Sequence, residues 1–424
     1  MFFDSVILIA FLLGYLAIVF ESNIKVNKTA SALVVAGVIW AFLFLNPAQD
    51  SAEAVQILGE KLNEISQIIF FLLGAMTIVE LVNSHNGFKA ITDLIQTNSK
   101  KKMLWLIGIL TFFLSAILDN LTTTIVIVSL LRKLIPDKKE RWLLGAIVVI
   151  SANAGGAWTP IGDVTTTMLW INGNITTLNV MKILFAPSFF ALIITLLLAG
   201  IKLKGTYPHL TARAHEEKVE PGARIVFFSG LGALISVPIL KSAIGLPPFM
   251  GILIGLGFLW LITDLIHKEK EDRHHLKIPH ILTQIDTSGV LFFLGILLCV
   301  SALDAIGLLK IFANILDQYV HNSSLVAIII GIISAIVDNV PLVAAGMGMY
   351  DTNIYPIDSS FWQLLAYCAG TGGSILIIGS AAGVALMGLE KVDFLWYLKK
   401  VSWIALISYF SGIAVYFLQE MLFF

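Results

Sequence analysis

Long apolar runs alternate with short polar segments along almost the whole chain. A helix needs ~20 apolar residues to cross the hydrocarbon core of a bilayer, and several of the runs have that length. The runs lie near residues 5–20, 29–46, 65–84, 103–131, 142–170, 182–201, 225–241, 249–266, 287–303, 322–349, 363–389 and 394–418. The pattern therefore predicts an all-α polytopic membrane protein with about ten spanning segments.

Two of these runs, 103–131 and 322–349, are longer than one span and carry an Asp-Asn pair at their centre. The first reads SAILDNL around Asp119, and the second reads SAIVDNV around Asp338. Two half-length helices that meet at a polar tip, a re-entrant hairpin, account for both features. Such backbone is tolerated at membrane depth only where it is buried in protein or lines a cavity. We therefore predict a re-entrant hairpin over each run.

A second pair of polar breaks follows the hairpins. The run 142–170 contains NAGGAWTPIGDVTTT, and the run 363–389 contains GTGGSILIIGSAAG. Glycine and proline at these positions predict transmembrane helices that are broken near their middle. Hairpin and broken helix recur in the same order at a nearly constant offset, as do FFLLG ending at Gly74 and LFFLG ending at Gly295. The chain is therefore predicted to contain a tandem repeat.

The positive charges indicate that the two repeats are inverted. Lys and Arg are enriched in cytoplasmic loops, and basic clusters at 100–102 and 132–133 flank both ends of the first hairpin. No Lys or Arg lies near either end of the second hairpin, so it is predicted to enter from the opposite face. This threading places both termini outside. It leaves only four of the 27 Lys and Arg outside, namely Lys61, Lys182, Lys241 and Lys310.

The repeat divides the chain into five predicted segments. They are N-terminal scaffold helices over 1–64, repeat 1 over 65–203, a cytoplasmic linker over 204–224, scaffold helices with a cytoplasmic loop over 225–286, and repeat 2 over 287–424. The cytoplasmic loop contains four histidines, for which we expect solvated positions. These are His267, His274, His275 and His280.

Composition supports a membrane protein and excludes several functions. The chain is 58% hydrophobic and 13% charged, with a net charge of −1, so nothing indicates a nucleic-acid partner. No GxxxxGK[ST] pattern is present, and no soluble segment is long enough to hold a nucleotide-binding domain. We therefore predict a transporter driven by an ion gradient in the lipid bilayer, with no cofactor, rather than an enzyme.

Three carboxylates fall inside the predicted membrane region, namely Asp119, Asp163 and Asp338. A charge at mid-bilayer costs roughly 2.5–3.5 kcal/mol on insertion scales, so such residues usually carry function. The first two stand among amide and hydroxyl side chains of Asn120, Thr123, Asn153, Thr159, Thr165 and Thr166. Oxygen ligands of these kinds suit a small hard cation. A buried acid that binds either this cation or a proton is the minimal antiporter.

The hairpin tips, the NAGGAWTPIGDVTTT block and the inverted duplication resemble the NhaD-type sodium/proton antiporters of the ion transporter superfamily. The resemblance covers nearly the whole chain and is most specific in GDVTT after TPI. It implies exchange of cytoplasmic Na⁺ or Li⁺ for external H⁺ in a bacterial inner membrane, by a protein with scaffold and transport domains that is usually a homodimer. It also implies an ion path through Asp119, Asn153, Asp163, Thr165, Thr166, Ser334, Asn339, Ser374 and Ser380.

The two halves differ at the positions that carry this chemistry. The first half has Asp163 where the second has Ser380, and Thr122 where the second has Pro341. We therefore expect the principal cation site in the first half, with Asp338 and Asn339 completing it from the second. The residues expected to hold Na⁺ or Li⁺ are Asp119, Asn120, Asp163, Thr165 and Thr166.

Other functions stay open at this point. The chain more distantly resembles the arsenite-efflux and divalent-anion/sodium symporter families, and neutral arsenite is not excluded by charge. Dicarboxylate symporters carry Ser-Asn-Thr at both hairpin tips, where this chain has Asp, so a divalent anion would meet negative charge. A channel is a further alternative. An intramembrane aspartyl protease also uses two buried aspartates but needs a GxGD motif, and Asp163 instead follows Pro160-Ile161-Gly162.

Overall fold

The computed structural model describes residues 2–19, 21–46, 51–89, 97–201, 203, 205–207, 220–268, 271–320 and 322–423. These residues are almost entirely helical, and they contain no strand beyond an isolated bridge between Ser99 and Thr206. Most of the predicted linker 204–224 lies outside the described residues.

The described residues up to Ile244 form ten helices. They are α1 (Phe2–Val19), α2 (Glu21–Ile24), α3 (Lys28–Phe44), α4 (Ser51–Ser84), α5 (Lys100–Leu118), α6 (Asn120–Leu134), α7 (Lys138–Ala157), α8 (Val164–Ile171), α9 (Thr177–Gly200) and α10 (Ala223–Ile244). The second half continues with α11 (Pro248–Ile266), a 3₁₀ turn over Glu271–Leu276, α12 (Ile278–Ile281), α13 (Thr287–Ala305), α14 (Leu308–Tyr319), α15 (Ser323–Ile333), α16 (Asn339–Met349), α17 (Ser360–Gly372), α18 (Ala381–Glu390), α19 (Phe394–Lys400) and α20 (Ser402–Phe423).

Seven of the described helices are long and apolar enough to cross a bilayer, namely α4, α5, α9, α10, α11, α13 and α20. The pair α14 and α15 adds a further apolar unit that is bent by 115°. This confirms a polytopic all-α membrane protein. The predicted number of about ten spans is not reached on length alone, since α1 and α3 are shorter and the helices around the polar breaks are interrupted.

The first predicted hairpin consists of α5 and α6, which meet at Asp119. Asp119 has a φ of +103°, a value that residues other than glycine seldom adopt, and this allows the chain to reverse at a single residue. Lys100, at the start of α5, forms an ion pair with Glu140, in the first turn of α7. Because α7 begins a few residues after α6 ends, the open ends of both hairpin limbs lie together.

The two halves pack in the same way. Helix α5 packs on α7, as α15 packs on α17. A Cβ placed on Gly155 would collide with the Phe112 carbonyl, and one on Gly372 would collide with the Gly331 carbonyl. Two pairs of helices therefore approach closely enough for backbone contact only because glycine stands at these positions.

Contacts at the two ends of helix α9 show how the hairpins are oriented relative to each other. At the start of α9, the Thr176 backbone N–H donates to Asp358. Asp358 lies two residues before α17, on the side where the second hairpin opens. Beyond the end of α9, Gly205 accepts from the Lys100 N–H at the open end of the first hairpin. The hairpins therefore open toward opposite ends of a helix of 24 residues.

Candidate functional site

Each polar break ends at a residue that caps a new helix. Asp119, Asp163 and Asp338 are the N-cap residues of α6, α8 and α16, and Ser380 is the N-cap of α18. Asp and Ser are favoured at N-caps because their side-chain oxygens accept the free backbone N–H groups. A helix N-terminus also favours negative charge. The local sequence therefore places three carboxylates at helix N-termini, where their oxygens accept free backbone N–H groups.

Asp163 is almost completely buried, with 1% of its surface exposed. Its Oδ1 accepts from the backbone N–H and the hydroxyl of Thr165, at 2.9 and 2.8 Å. Its Oδ2 accepts from the Asn120 side-chain amide at 2.8 Å. All three donors are neutral, and no Lys, Arg or His of the described chain forms an ion pair with this carboxylate.

Asn153 joins the two halves of the chain at this point. Its carbonyl oxygen accepts from the Asn120 Nδ2 at 3.0 Å. Its own amide donates to the Ser374 hydroxyl at 2.8 Å and the Ser380 hydroxyl at 2.9 Å. The structure thus brings six of the predicted site residues, Asp163 and Thr165 included, into one buried hydrogen-bonded network that spans both halves of the chain.

Asp119 and Asp338 are half-buried and line one cavity of about 110 Å³. Asn120 also lines this cavity, whereas Asp163 lies behind it. Asp119 accepts from the Thr122 backbone N–H and hydroxyl, both at 2.8 Å. A cavity of this size holds a few water molecules or a partly hydrated ion.

Lys28, which is not among the four lysines predicted to lie outside, also lines the cavity. The Lys28 Nζ lies 3.2 Å from Asp338 Oδ2 and 4.3 Å from the centre of the Phe292 ring. Lys28 and Asp338 are 310 residues apart in sequence, so no local pattern could have paired them.

Several predicted hydroxyl groups bind backbone carbonyls in this structure. Thr159 donates to the Ala116 carbonyl at 2.6 Å, Thr166 to the Ala157 carbonyl at 3.3 Å, and Ser334 to the Gly331 carbonyl at 2.7 Å. In contrast, Thr123 Oγ1 and Asn339 Nδ2 are buried and have no hydrogen-bond partner among the described residues. The Thr159 hydroxyl thus joins the first break to the first hairpin, whereas the Thr166 and Ser334 hydroxyls bond within their own break and hairpin.

Comparison with known proteins assigns the chain to a family. The family model described as a citrate transporter matches residues 15–370. The chain is 54% identical to Sodium/proton antiporter 1 of Arabidopsis thaliana, over 97% of this chain and 72% of that protein. It is 32% identical to the Na(+)/H(+) antiporter NhaD of Vibrio parahaemolyticus, over 88% of this chain and 94% of that protein. The chain belongs to the NhaD sodium/proton antiporter family. The resemblance inferred from the hairpin tips and the GDVTT block is thereby confirmed.

This NhaD family member also contains a histidine pair that the sequence did not reveal. His85 follows α4 and His267 follows α11, and their Nε2 atoms lie 2.9 Å apart. The prediction of a solvated His267 is wrong, because both rings are fully buried between the helix ends. His274 and His275 are exposed, as expected.

The hydrogen bonds of the pair fix where its protons lie. His85 Nδ1 is 2.8 Å from the Leu81 carbonyl, so this nitrogen carries the proton and donates it. His85 Nε2 is then the acceptor for the Nε2–H of His267. His267 Nδ1 is left without a partner among the described residues. Burial lowers the pKa of His85 and lowers that of His267 to about 4.

Proposed function

We propose that this protein exchanges Na⁺ or Li⁺ from the cytoplasm for external H⁺ by alternating access. The observation that carries the proposal is the Asp163 carboxylate, which is buried and held only by neutral donors. A buried carboxylate without a fixed countercharge has a net requirement for a mobile cation or a proton. Na⁺ and H⁺ therefore compete for the same oxygen atoms.

The proposed principal ligands of Na⁺ are oxygens of Asp119, Asn120, Asp163, Thr165 and Thr166, and the unpartnered Thr123 hydroxyl is a further proposed ligand. In the structure Asn120 points its amide nitrogen at Asp163 Oδ2. Entry of Na⁺ would require this amide to turn, so that its oxygen faces the ion. The interaction of Asp163 with the ion would replace its lost hydrogen bond with Asn120. Ion binding would therefore be coupled to a rearrangement of the hairpin tip.

The proposed orientation follows the charges and the hairpins. The open end of the first hairpin, with Lys100 and Glu140, would face the cytoplasm, and that of the second would face outward. Both termini then lie outside. The membrane would be a bacterial inner membrane, in which we propose a homodimer whose hairpin domains move against scaffold helices over 29–84 and 225–303.

The test is a Na⁺ pulse given to respiring everted membrane vesicles that contain the protein, with a ΔpH-sensitive dye at pH 7 to 9. Asp163→Asn removes the charge but keeps a good N-cap residue, so it should abolish the response without unfolding α8. Asp393→Asn is the matched control, because Asp393 is an exposed N-cap of α19 that does not line the cavity.

Dequenching by Na⁺ or Li⁺ but not K⁺, lost in Asp163→Asn and retained in Asp393→Asn, would support exchange at this site. Asp119→Asn separates an antiporter from a channel, because a channel could still conduct Na⁺ without proton movement. Absence of any response in the wild-type protein would refute the proposal and favour arsenite or anion transport.

Citrate is the second candidate substrate, because the matching family model is described as a citrate transporter. Asp119 and Asp338 both line the cavity, and their negative charge would repel a tricarboxylate. Uptake of labelled citrate in the same vesicles checks this alternative, and we expect none above background.

A further inference from the structure

Lys28 is fixed on the scaffold side of the cavity. It is the first residue of α3, directly after the N-cap Asn27, and its backbone N–H donates to Glu21 Oε1 at 3.1 Å. The next residue, Thr29, donates its hydroxyl to the Ser288 carbonyl of α13 at 2.9 Å. These contacts fix the backbone of Lys28, at the start of α3, next to the start of α13. They do not depend on the conformation of the Lys28 side chain.

The position of Lys28 is unfavourable for helix stability. A positive side chain in the first turn opposes the helix dipole. The side chain instead extends to Asp338 Oδ2, at 3.2 Å, and lies over the Phe292 ring. A partly exposed ion pair of this kind contributes little to stability. Stabilisation of the fold therefore does not account for a cation at this position.

Asp338 lies on the opposite, hairpin side of the cavity. It caps α16 with Oδ1, which is 3.3 Å from the Val340 N–H, and uses Oδ2 for Lys28. Both side chains line the cavity of about 110 Å³ that also contains Asp119. Lys28 is thus a positive charge placed within the cavity that a mobile cation would enter.

We propose that Lys28 is a tethered cation that neutralises Asp338 while the site is free of Na⁺, and that an entering Na⁺ displaces it. This inference rests on the proposed Na⁺/H⁺ exchange. Two positive charges in so small a cavity repel each other, so Na⁺ and the Lys28 ammonium compete for the carboxylates. Release of Lys28 breaks a direct contact between the scaffold and the second hairpin. Lys28 is therefore a positioning residue that couples Na⁺ occupancy to movement of the hairpin.

The experiment compares Lys28→Gln and Lys28→Arg by the apparent KM for Na⁺ in everted vesicles. It also compares them by the Na⁺ concentration that half-maximally raises the melting temperature of the purified protein, with choline as the reference cation. Lys28→Gln is expected to lower both values about fivefold, because the competing charge is gone. Lys28→Arg should remain near the wild type. The maximal exchange rate of Lys28→Gln should also fall, because occupancy no longer releases a contact.

Lys61→Gln is the matched control. Lys61 and Asp304 form a second ion pair at 2.9 Å, and neither residue lines the site cavity. Their side chains are 27% and 23% exposed, close to the 28% and 17% of Lys28 and Asp338. The Na⁺ dependence of Lys61→Gln should equal that of the wild type in both assays. If Lys28→Gln requires the same Na⁺ concentration as the wild type, or a higher one, the inference about Lys28 is overturned, while the proposed exchange still stands. A wild-type protein that responds to Na⁺ in neither assay overturns the exchange itself, and the role of Lys28 with it.

Discussion

The side-chain amide of Asn153, in the first half of the chain, donates to the hydroxyl of Ser380, in the second half, at 2.9 Å. Through the carbonyl oxygen of the same residue, the network continues to Asn120 and from there to Asp163. One neutral side chain thus ties the buried acid of one half to the capping residue of the other. Its removal should affect both halves at once.

Asn153→Ala is expected to destabilise the protein by about 1–3 kcal/mol, because it leaves buried partners of the amide unsatisfied. Ser374→Ala is the matched control, since Asn153 then still donates to Ser380. Melting temperatures of the purified variants measure the difference. Equal melting temperatures for the two variants would contradict a bridging role for Asn153.

Thr123→Val is expected to raise the apparent KM for Na⁺ about tenfold. This change corresponds to the loss of one interaction that is as strong as a hydrogen bond to a charged group. Thr123 Oγ1 is buried without a partner among the described residues, which is costly unless a ligand meets it. Thr111 in α5 has the same property outside the predicted ion path, and Thr111→Val should leave the KM unchanged. A Thr123→Val variant with wild-type Na⁺ dependence would exclude this hydroxyl as a ligand.

Gly155→Ala is expected to reduce folded protein strongly, at a cost of about 3 kcal/mol or more, because the new methyl group meets the backbone of Phe112. Gly372→Ala should behave alike, since its Cβ meets the Gly331 carbonyl. Gly388 in α18 has open space around it, so Gly388→Ala should be neutral or add about 0.5–1 kcal/mol. The yield and melting temperature of monodisperse protein measure all three, and a Gly155→Ala variant as stable as Gly388→Ala would refute the close packing.

The His85–His267 pair should make stability depend on pH. Both pKa values are lowered by burial, that of His267 to about 4, while in the unfolded chain both lie near 6.5. Between these values the unfolded state binds more protons than the folded state, so stability falls as the pH drops from about 6.5 toward 4. Nearby Arg273, Lys277 and His275 also favour the neutral form of His267.

Melting temperatures measured from pH 7.5 to 4.5 test this prediction. His267→Gln keeps a donor for His85 Nε2 and removes one titrating ring, so it should flatten the decline. His274→Gln is the control, because His274 is exposed and is not part of the buried pair. A decline of the same steepness in His267→Gln and in the wild type would contradict the prediction.

Many features of the fold could be predicted because they depend on local sequence. Apolar run length gave the spanning helices, and the polar residues at Asp119, Asp163 and Asp338 marked where helices end and begin again. The structure places helix boundaries at each of these residues. The physical reason is that a short polar side chain caps the helix that follows it, and at Asp163 the neighbouring Gly162 and the nearby Pro160 also interrupt the preceding helix. Both effects act within a few residues.

The sequence by itself thus determined the membrane class and the positions of the breaks, and it predicts the internal duplication and the site residues. Only the tertiary structure decided that Lys28 contacts Asp338, that His85 contacts His267 and that Asn153 joins Ser374 and Ser380. These partners lie 182 to 310 residues apart along the chain. Their contacts depend on how whole helices pack, which the pattern of a single stretch does not specify.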